Sequence, residues 1–219
     1  EKKWLEYLQI IDQGEVPSKE MLDRWKTYGS DLPDLKPAYI KEDYPQLKNR
    51  IVYFETSRGC PYLCSFCLSA LDKTVRYFDD EIIFNQIENL INAGVKKFKF
   101  VDRTFNLKPG RMKTLMEWLS QFIGSEFHFE VVGDILTPNI LRFLETVPPG
   151  MFQFEIGIQT TDESVQKSID RKQNNQKLFD TIKTLLVQDR IHFHCDLIFG
   201  LPGENMGQIL NSFKEVLSL

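Results

Sequence analysis

Short β-branched and aromatic runs alternate with segments of helical periodicity from about residue 50 to the end of the 219-residue chain. This alternation is typical of consecutive βα units, which build a parallel sheet covered by helices. The candidate strands span residues 51–56, 95–101, 127–132, 152–158 and 191–199. The pattern therefore predicts an α/β fold with five βα units.

The segments between the candidate strands have the apolar spacing of amphipathic helices. Ile83, Ile87 and Leu90 recur at intervals of four and three, which places them on one helix face. Gly94 follows this stripe as a predicted C-terminal cap. Thr137, directly before a proline, is the predicted N-cap of a later helix. Helices should therefore cover one face of the sheet.

The last two candidate strands alternate between apolar and polar residues. Successive side chains of a strand point to opposite faces, so each strand has one apolar and one polar face. Helices must cover the apolar face, so the polar side chains should line a concave interior: Glu55, Glu130, Glu155, Asp196, His128, His192 and His194. This lining suits a polar ligand, although the same groups could simply pair with one another or with water. The histidines are candidates for proton transfer near neutral pH or for structural hydrogen bonds.

Three of the four cysteines lie within eight residues, shortly after the first candidate strand: Cys60, Cys64 and Cys67. Four-iron clusters are usually held by four thiolates, so three thiolates would leave one iron open to a small molecule. Zinc, the alternative, needs a fourth Cys or His, and the nearest histidine in sequence is His128. The clustering does not match a secreted disulfide framework. Cys195 falls on an apolar strand face, where a free cysteine behaves as a buried hydrophobe rather than a ligand.

The Cys-x3-Cys-x2-Cys spacing, with Phe66 before the last cysteine, resembles the signature of the radical S-adenosylmethionine (SAM) superfamily. The resemblance implies that the three cysteines hold a [4Fe-4S] cluster, that SAM chelates the fourth iron, and that Phe66 lies beside the cofactor. The implied fold is a partial (β/α)6-type TIM barrel, here truncated after the fifth βα unit. Its cluster loop would lie at the carboxyl end of the first strand.

The run FVDRTFN at residues 100–106 also resembles a radical SAM motif, particularly in the group that carries an N-terminal cobalamin-binding domain. The resemblance places Asp102 and Thr104 near the SAM amino group. Arg103 departs from the motif, because it replaces a second acidic residue. The same run also reads as an ordinary turn between a strand and a helix.

The run FEIGIQT at residues 154–160, followed by Arg171, resembles a further motif of the family. It implies that Glu155 and Gln159 line the SAM site. It also implies that Arg171 pairs with the SAM carboxylate, which a planar guanidinium can bind through two hydrogen bonds. A solvated loop arginine is the alternative for Arg171.

The run DLIFGLPGE at residues 196–204 resembles the fifth-strand motif, which implies that Ile198 and Gly200 pack against adenine. At the third strand, Val132 stands where many relatives have an arginine. Asp134 falls at a matching acidic position of that stretch and is a candidate SAM contact.

Residues 1–48 contain two charged amphipathic segments and then a stretch punctuated by prolines. We expect this part to be a helical linker that follows a cobalamin-binding domain absent from this chain. Residues 49–219 are then expected to be the radical SAM core domain, incomplete at its C-terminal end.

The composition is that of an ordinary globular protein, with 42% hydrophobic and 26% charged residues and a formal net charge of −4. The chain contains no membrane span of about 18 consecutive apolar residues. The slight acidity gives no electrostatic footprint for nucleic acid. Together with reduced thiols, these features indicate a cytoplasmic protein.

The resemblance implies an enzyme that reductively cleaves SAM to a deoxyadenosyl radical and so modifies an unknown small-molecule substrate. An electron donor such as flavodoxin or ferredoxin would be its partner. Cobalamin, if bound in a domain outside this chain, would favour methyl transfer, with oxidative cyclisation and methylthiolation as further reactions. The alternative function is an iron–sulfur binding or electron-transfer module that does not cleave SAM.

Overall fold

The computed structural model describes residues 38–219. Residues 1–37, and with them most of the predicted helical linker, lie outside the described residues. A short helix, α1 (Tyr44–Leu47), precedes the first strand. Tyr39 and the two end residues of α1 pack against the core of the sheet. This segment therefore contacts the domain that follows it.

Strands and helices alternate along the rest of the described chain. In order, they are β1 (Ile51–Phe54), β2 (Ser57–Arg58), β3 (Arg76–Tyr77), α2 (Asp80–Asn92), β4 (Lys97–Phe100), α3 (Pro109–Leu119), β5 (Glu126–Val131), α4 (Pro138–Leu144), β6 (Phe152–Gln159), α5 (Glu163–Ser168), α6 (Asn175–Gln188), β7 (His192–Leu197) and α7 (Met206–Leu217), with 3-10 helices at Leu68–Leu71 and Gly133–Ile135.

Five parallel strands form one sheet in the order β1-β4-β5-β6-β7. β2 and β3 form a separate antiparallel ribbon. The predicted α/β fold with a parallel sheet of five strands is thus confirmed. Within residues 38–219, none of the helices has the length and hydrophobicity needed to cross a bilayer.

The strands differ from the predictions mainly at their ends. β1 ends two residues before the predicted limit, because the Thr56 N–H donates to the Asp102 side chain at 2.9 Å instead of continuing the strand. β4 and β7 are also shorter than predicted, whereas β5 and β6 agree to within one residue. The β2–β3 ribbon and the short helix α5 were not predicted.

One face of the sheet is built from phenylalanine side chains. Ring centroids lie 5.9 Å apart for Phe54 and Phe100, 4.7 Å for Phe100 and Phe129, and 6.3 Å for Phe129 and Phe154. These neighbours come from four adjacent strands, so the rings form a continuous row across the sheet. Such pairs add about 0.5–1.5 kcal/mol each beyond the burial of their area. The helices cover this row.

The opposite face of the same sheet is polar. Parallel pairing puts one row of side chains in register across β4 to β7: Lys99, His128, Gln153 and His192. The next row toward the carboxyl ends of the strands contains Glu130, Glu155 and His194. The predicted division into an apolar and a polar face is therefore confirmed.

The row of rings predicts a large cost for removing its central member. Phe129→Ala should lower the free energy of unfolding by about 3–5 kcal/mol, because the side chain is fully buried and its loss leaves a cavity. Val187→Ala, which truncates an exposed side chain of α6, should change it by no more than about 0.5 kcal/mol. Urea unfolding of both variants measures the difference. Equal unfolding midpoints for the two variants would show that the row of phenylalanine rings contributes little to stability.

Candidate functional site

The loop after β1 brings three cysteines to the carboxyl edge of the sheet. It begins at Gly59, whose φ is +99° and where an added Cβ would lie 2.3 Å from the Thr74 carbonyl oxygen. Only glycine fits this backbone without strain. The Cys60 N–H donates to the Asp72 carbonyl at 2.9 Å, so the two sides of the loop are tied together directly at the first cysteine.

Cys60, Cys64 and Cys67 line one cavity of about 290 Å³. The predicted site residues that also line it are Phe66, Thr104, Glu155, Gln159 and Arg171. These residues come from four different parts of the chain and meet beyond the carboxyl ends of the parallel strands. This is where ligands usually bind in open α/β sheets.

The cysteines are free thiols in different surroundings. The Cys60 Sγ lies 3.5 Å from the Thr104 hydroxyl, and the Cys64 Sγ lies 3.9 Å from a guanidinium nitrogen of Arg171. Burial raises the pKa of Cys64, and the charge of Arg171 opposes that effect. Among residues 38–219, no three His, Cys, Asp or Glu side chains are placed to hold a single metal ion.

Cys195 has a different environment, as predicted. It packs among apolar side chains on the helix-covered face and does not line the cavity. Burial, and then the nearby Asp196 carboxylate, raise the pKa of this thiol to about 11.

The end of β6 is shaped to aim two side chains into the cavity. Gln159 has a φ of +67°, a left-handed conformation that costs a non-glycine residue about 1–2 kcal/mol. A Cβ at Gly157 would lie 2.3 Å from the Gln159 side-chain nitrogen. The Arg171 guanidinium donates to the Gly157 carbonyl and, at 2.9 Å, to the Gln173 side chain. The absent Cβ thus leaves room for the Gln159 amide beside Arg171.

A charged network lies on the polar face of the sheet at the cavity. Glu155 contacts the Lys99 ammonium at 3.2 Å and the His128 Nε2 at 2.9 Å. Partial burial alone would raise the pKa of Glu155, but Lys99 and His128 together lower it. Burial and the Lys99 charge lower the pKa of His128 below its ordinary 6.5. This network keeps an ionised carboxylate at the cavity wall and a neutral imidazole behind it.

A family model described as the radical SAM superfamily matches residues 54–216 of the chain. The match covers most of the chain and includes the cysteine loop, strands β4 to β7 and the residues that line the cavity. The chain belongs to the radical SAM superfamily.

Curated proteins with two different named activities are similar to the chain. A cobalamin-dependent radical SAM methyltransferase, TokK from Streptomyces tokunonensis, is 27% identical over 69% of this chain and 23% of its own length. A tRNA-2-methylthio-N(6)-dimethylallyladenosine synthase from Ehrlichia canis is 25% identical over 80% of this chain and 42% of its own length. The chain therefore spans less than half of each relative.

The fold has similar solved structures. The radical SAM methyltransferase TsrM from Kitasatospora setae, with a tryptophan substrate and a SAM analogue bound, superposes with a TM-score of 0.67. The sequence identity is 13%, and the match covers 86% of this chain and 38% of TsrM. This likeness establishes a radical SAM fold for the sheet and its helices.

Asp102, which the radical SAM motif places near SAM, does not line the cavity. Its side chain is 1% exposed and accepts hydrogen bonds from the Thr56 N–H, the Thr56 hydroxyl and the Ser57 hydroxyl at 2.9, 2.7 and 2.6 Å. All of these donors belong to the segment between β1 and the cysteine loop. In this structure Asp102 holds the loop, and its neighbour Thr104 faces the cavity.

Three other radical SAM motif residues also lie outside the cavity lining. Asp134 accepts a hydrogen bond from the Asn174 N–H at 2.8 Å. Ile198 packs against a small apolar cluster of Val165, Ile169 and Leu201. Gly200, with a φ of +82°, donates its N–H to the Glu204 carboxylate in the turn after β7. The structure gives each of them a local structural role.

Several residues that line the cavity were not predicted as site residues of this radical SAM chain. They are Tyr62, Ser69, Arg103, Val131, Val132, Gly157 and Lys172, together with Glu130 and Asp196, which were predicted only as interior residues. Arg103 lies 3.6 Å from the Glu130 carboxylate. The sequence contained one signal for these residues, because Arg103 replaces the second acidic residue of the motif. In the structure this arginine lies beside a carboxylate on β5.

The lowered pKa of His128 predicts a pH effect on stability. Because the unfolded chain takes up a proton at pH 6.5 that the folded chain accepts only at lower pH, the contribution of His128 to stability falls as the pH drops through this range. His128→Gln removes the imidazole that takes up this proton. Urea unfolding between about pH 7.5 and 5.5 should therefore show a smaller loss of stability for the variant than for the parent chain. Parallel curves would contradict the prediction.

Proposed function

We propose that this chain binds a [4Fe-4S] cluster through Cys60, Cys64 and Cys67 and binds SAM in the adjoining cavity. The main observation in support is that these three thiols line one cavity of about 290 Å³ together with Arg171 and Thr104. The donor set fits the cluster, because three thiolates from one loop leave one iron free for an exogenous ligand. The cavity also contains polar groups that suit the amino-acid end of SAM.

When bound, the reduced cluster would supply the electron that cleaves SAM to methionine and a deoxyadenosyl radical, which takes hydrogen from a substrate. The protein's own residues would bind SAM and orient it. Arg171 offers paired N–H donors to a carboxylate. Gln159 and the ionised Glu155 offer hydrogen bonds to hydroxyl and amino groups. Phe66 adds an aromatic ring to the cavity lining.

The reaction that we favour for the whole protein is methyl transfer with cobalamin bound outside this chain. The support is the similarity to TokK, whose name describes a cobalamin-dependent methyltransferase. Methylthiolation is the second candidate, supported by the similarity to the Ehrlichia canis synthase. In the favoured methyl transfer, a small-molecule substrate would bind over the polar strand face. In either reaction an external protein such as flavodoxin or ferredoxin would supply the electron.

An iron–sulfur module that does not cleave SAM is the competing function. The cavity argues against it, because an electron carrier has no use for a polar cavity beside its cluster. Glu155 already contacts Lys99 and His128, and the Arg171 guanidinium donates to Gly157 and Gln173. Arg171 nevertheless lines the cavity and has five N–H donors, so it can still bind the carboxylate of a ligand such as SAM.

Cysteine replacement separates the proposed ligands from the remaining thiol. After anaerobic reconstitution, the parent chain should hold about four iron and four sulfide per chain. Cys60→Ala, Cys64→Ala and Cys67→Ala should each lose most of this iron. Cys195→Ala is the matched control and should keep it, because Cys195 lies on the other face of the sheet. Reductant and SAM should then yield deoxyadenosine only from the chains that hold a cluster.

The outcomes distinguish the two functions. A stable cluster without deoxyadenosine would favour the electron-transfer module. Loss of iron from the Cys195→Ala chain, with retention in Cys67→Ala, would refute the ligand assignment.

Arg171→Lys tests how SAM is held. Lysine keeps the charge but offers a point donor instead of the paired donors of guanidinium. SAM should bind the reconstituted variant about tenfold more weakly, which corresponds to about 1.4 kcal/mol. Arg190→Lys, at an exposed arginine beyond α6, is the matched control and should leave the Kd unchanged. Isothermal titration under anaerobic conditions measures both. Equal affinities for Arg171→Lys and the parent would remove Arg171 from the site.

A further inference from the structure

We propose that the Thr104 hydroxyl donates a hydrogen bond to the Cys60 thiolate and so raises the reduction potential of the cluster. The inference rests on the proposed function, because it concerns the cluster that Cys60 would bind. It gives Thr104 a positioning and tuning role in place of the SAM contact that the motif implies.

The geometry of the two side chains carries the proposal. The Thr104 Oγ1 and the Cys60 Sγ lie 3.5 Å apart, and the two residues are 4% and 9% exposed. Among residues 38–219, the Thr104 hydroxyl makes no hydrogen bond to any other residue. A cysteine that ligates iron has lost its proton, so only the hydroxyl can donate. A buried hydroxyl without this acceptor would be left unsatisfied.

The turn that carries Thr104 is anchored on the side of β1. Asp102, two residues earlier, accepts hydrogen bonds from Thr56 and Ser57. These residues begin the segment that leads to Cys60. One buried carboxylate therefore holds the start of the cysteine loop and the turn with Thr104 together.

The same turn is anchored on the side of β5. The Asn106 side chain donates to the Val132 carbonyl at 2.7 Å and accepts from the Val132 N–H at 2.9 Å. The Phe105 ring packs 4.3 Å from the Phe129 ring. With both sides held, the Thr104 hydroxyl has little freedom to leave Cys60. The dipole of the hydroxyl is therefore already oriented toward Cys60 before the cluster is reduced.

A hydrogen bond to a cluster sulfur changes the reduction potential by electrostatics. Reduction adds one electron from an external reductant to the cluster, and the hydroxyl keeps its proton, so no atom is transferred. The partial positive charge on the hydroxyl hydrogen stabilises the more negative reduced state, which raises the potential. The donor beside Cys64 is the Arg171 guanidinium at 3.9 Å, which is the proposed partner of the SAM carboxylate. Within the described residues no side chain donates to Cys67.

The test compares Thr104→Val with Thr104→Ser in the reconstituted full chain. Valine has a similar shape to threonine but no hydroxyl, whereas serine keeps the hydroxyl. The potential is measured by anaerobic reductive titration with detection of the reduced cluster by electron paramagnetic resonance. In Thr104→Val the equilibrium constant for reduction should fall about tenfold, which is about 59 mV for one electron. Thr104→Ser should stay near the parent value, which a purely structural role would not require.

The results separate this inference from the proposed function. A parent chain that assembles no cluster would overturn the proposed function. A cluster whose potential is the same in Thr104→Val and the parent would overturn only the role of Thr104. A shift of equal size in the serine variant would also overturn it, because the effect would then not depend on the hydroxyl.

A second measurement uses the metal-free chain, in case Thr104→Val holds no cluster. A double-mutant cycle combines Thr104→Val with Cys60→Ala and measures unfolding by urea. Because the two side chains are in contact, their effects on the unfolding midpoint should not be additive. Additive effects would show that the contact does not exist and would end the proposal.

Discussion

The buried carboxylate of Asp102 connects the two parts of the chain on which the site depends. It accepts three hydrogen bonds from the end of β1 and the residues after it. Burial raises the pKa of this carboxyl group, and the hydroxyls of Ser57 and Thr56 oppose that shift. An unpaired buried carboxylate would be costly, so the three donors and the acceptor are kept together. The cysteine loop begins directly after these donors, so their hydrogen bonds to Asp102 orient its first residues.

The parallel sheet determines which side chains can meet. Parallel pairing in register repeats the same face at the same height on neighbouring strands, so phenylalanines collect on one face and ionisable groups on the other. The apolar face supplies the core that stabilises the sheet. The polar face supplies Glu155, Lys99 and His128, whose mutual contacts keep charge at the cavity wall. The alternation of apolar and polar side chains along each strand therefore provides both a stable core and a polar face for ligand binding.

The cysteine loop shows how a rigid scaffold positions a reactive segment. Loops carry binding residues most effectively when strands and helices hold their ends. Here the ribbon of β2 and β3, the narrow turn at Gly59 and the Thr104 turn surround the first cysteine. Cys64 instead faces Arg171, which belongs to the segment after α5. Cys60 and Cys64 thus have different environments, although they lie in one short stretch of sequence.

The sequence alone determined the alternation of strands and helices, the two faces of the sheet and the three candidate thiol ligands. These features follow from local rules, because side-chain direction repeats along a strand or helix and the cysteine spacing lies within one loop. The tertiary structure decided that Asp102 is buried while Thr104 faces the cavity. It also decided that Asp134, Ile198 and Gly200 lie outside the cavity lining and that Arg103 pairs with Glu130. Such contacts join turns from different strands, and they depend on strand register and turn geometry, which no local pattern in the sequence specifies.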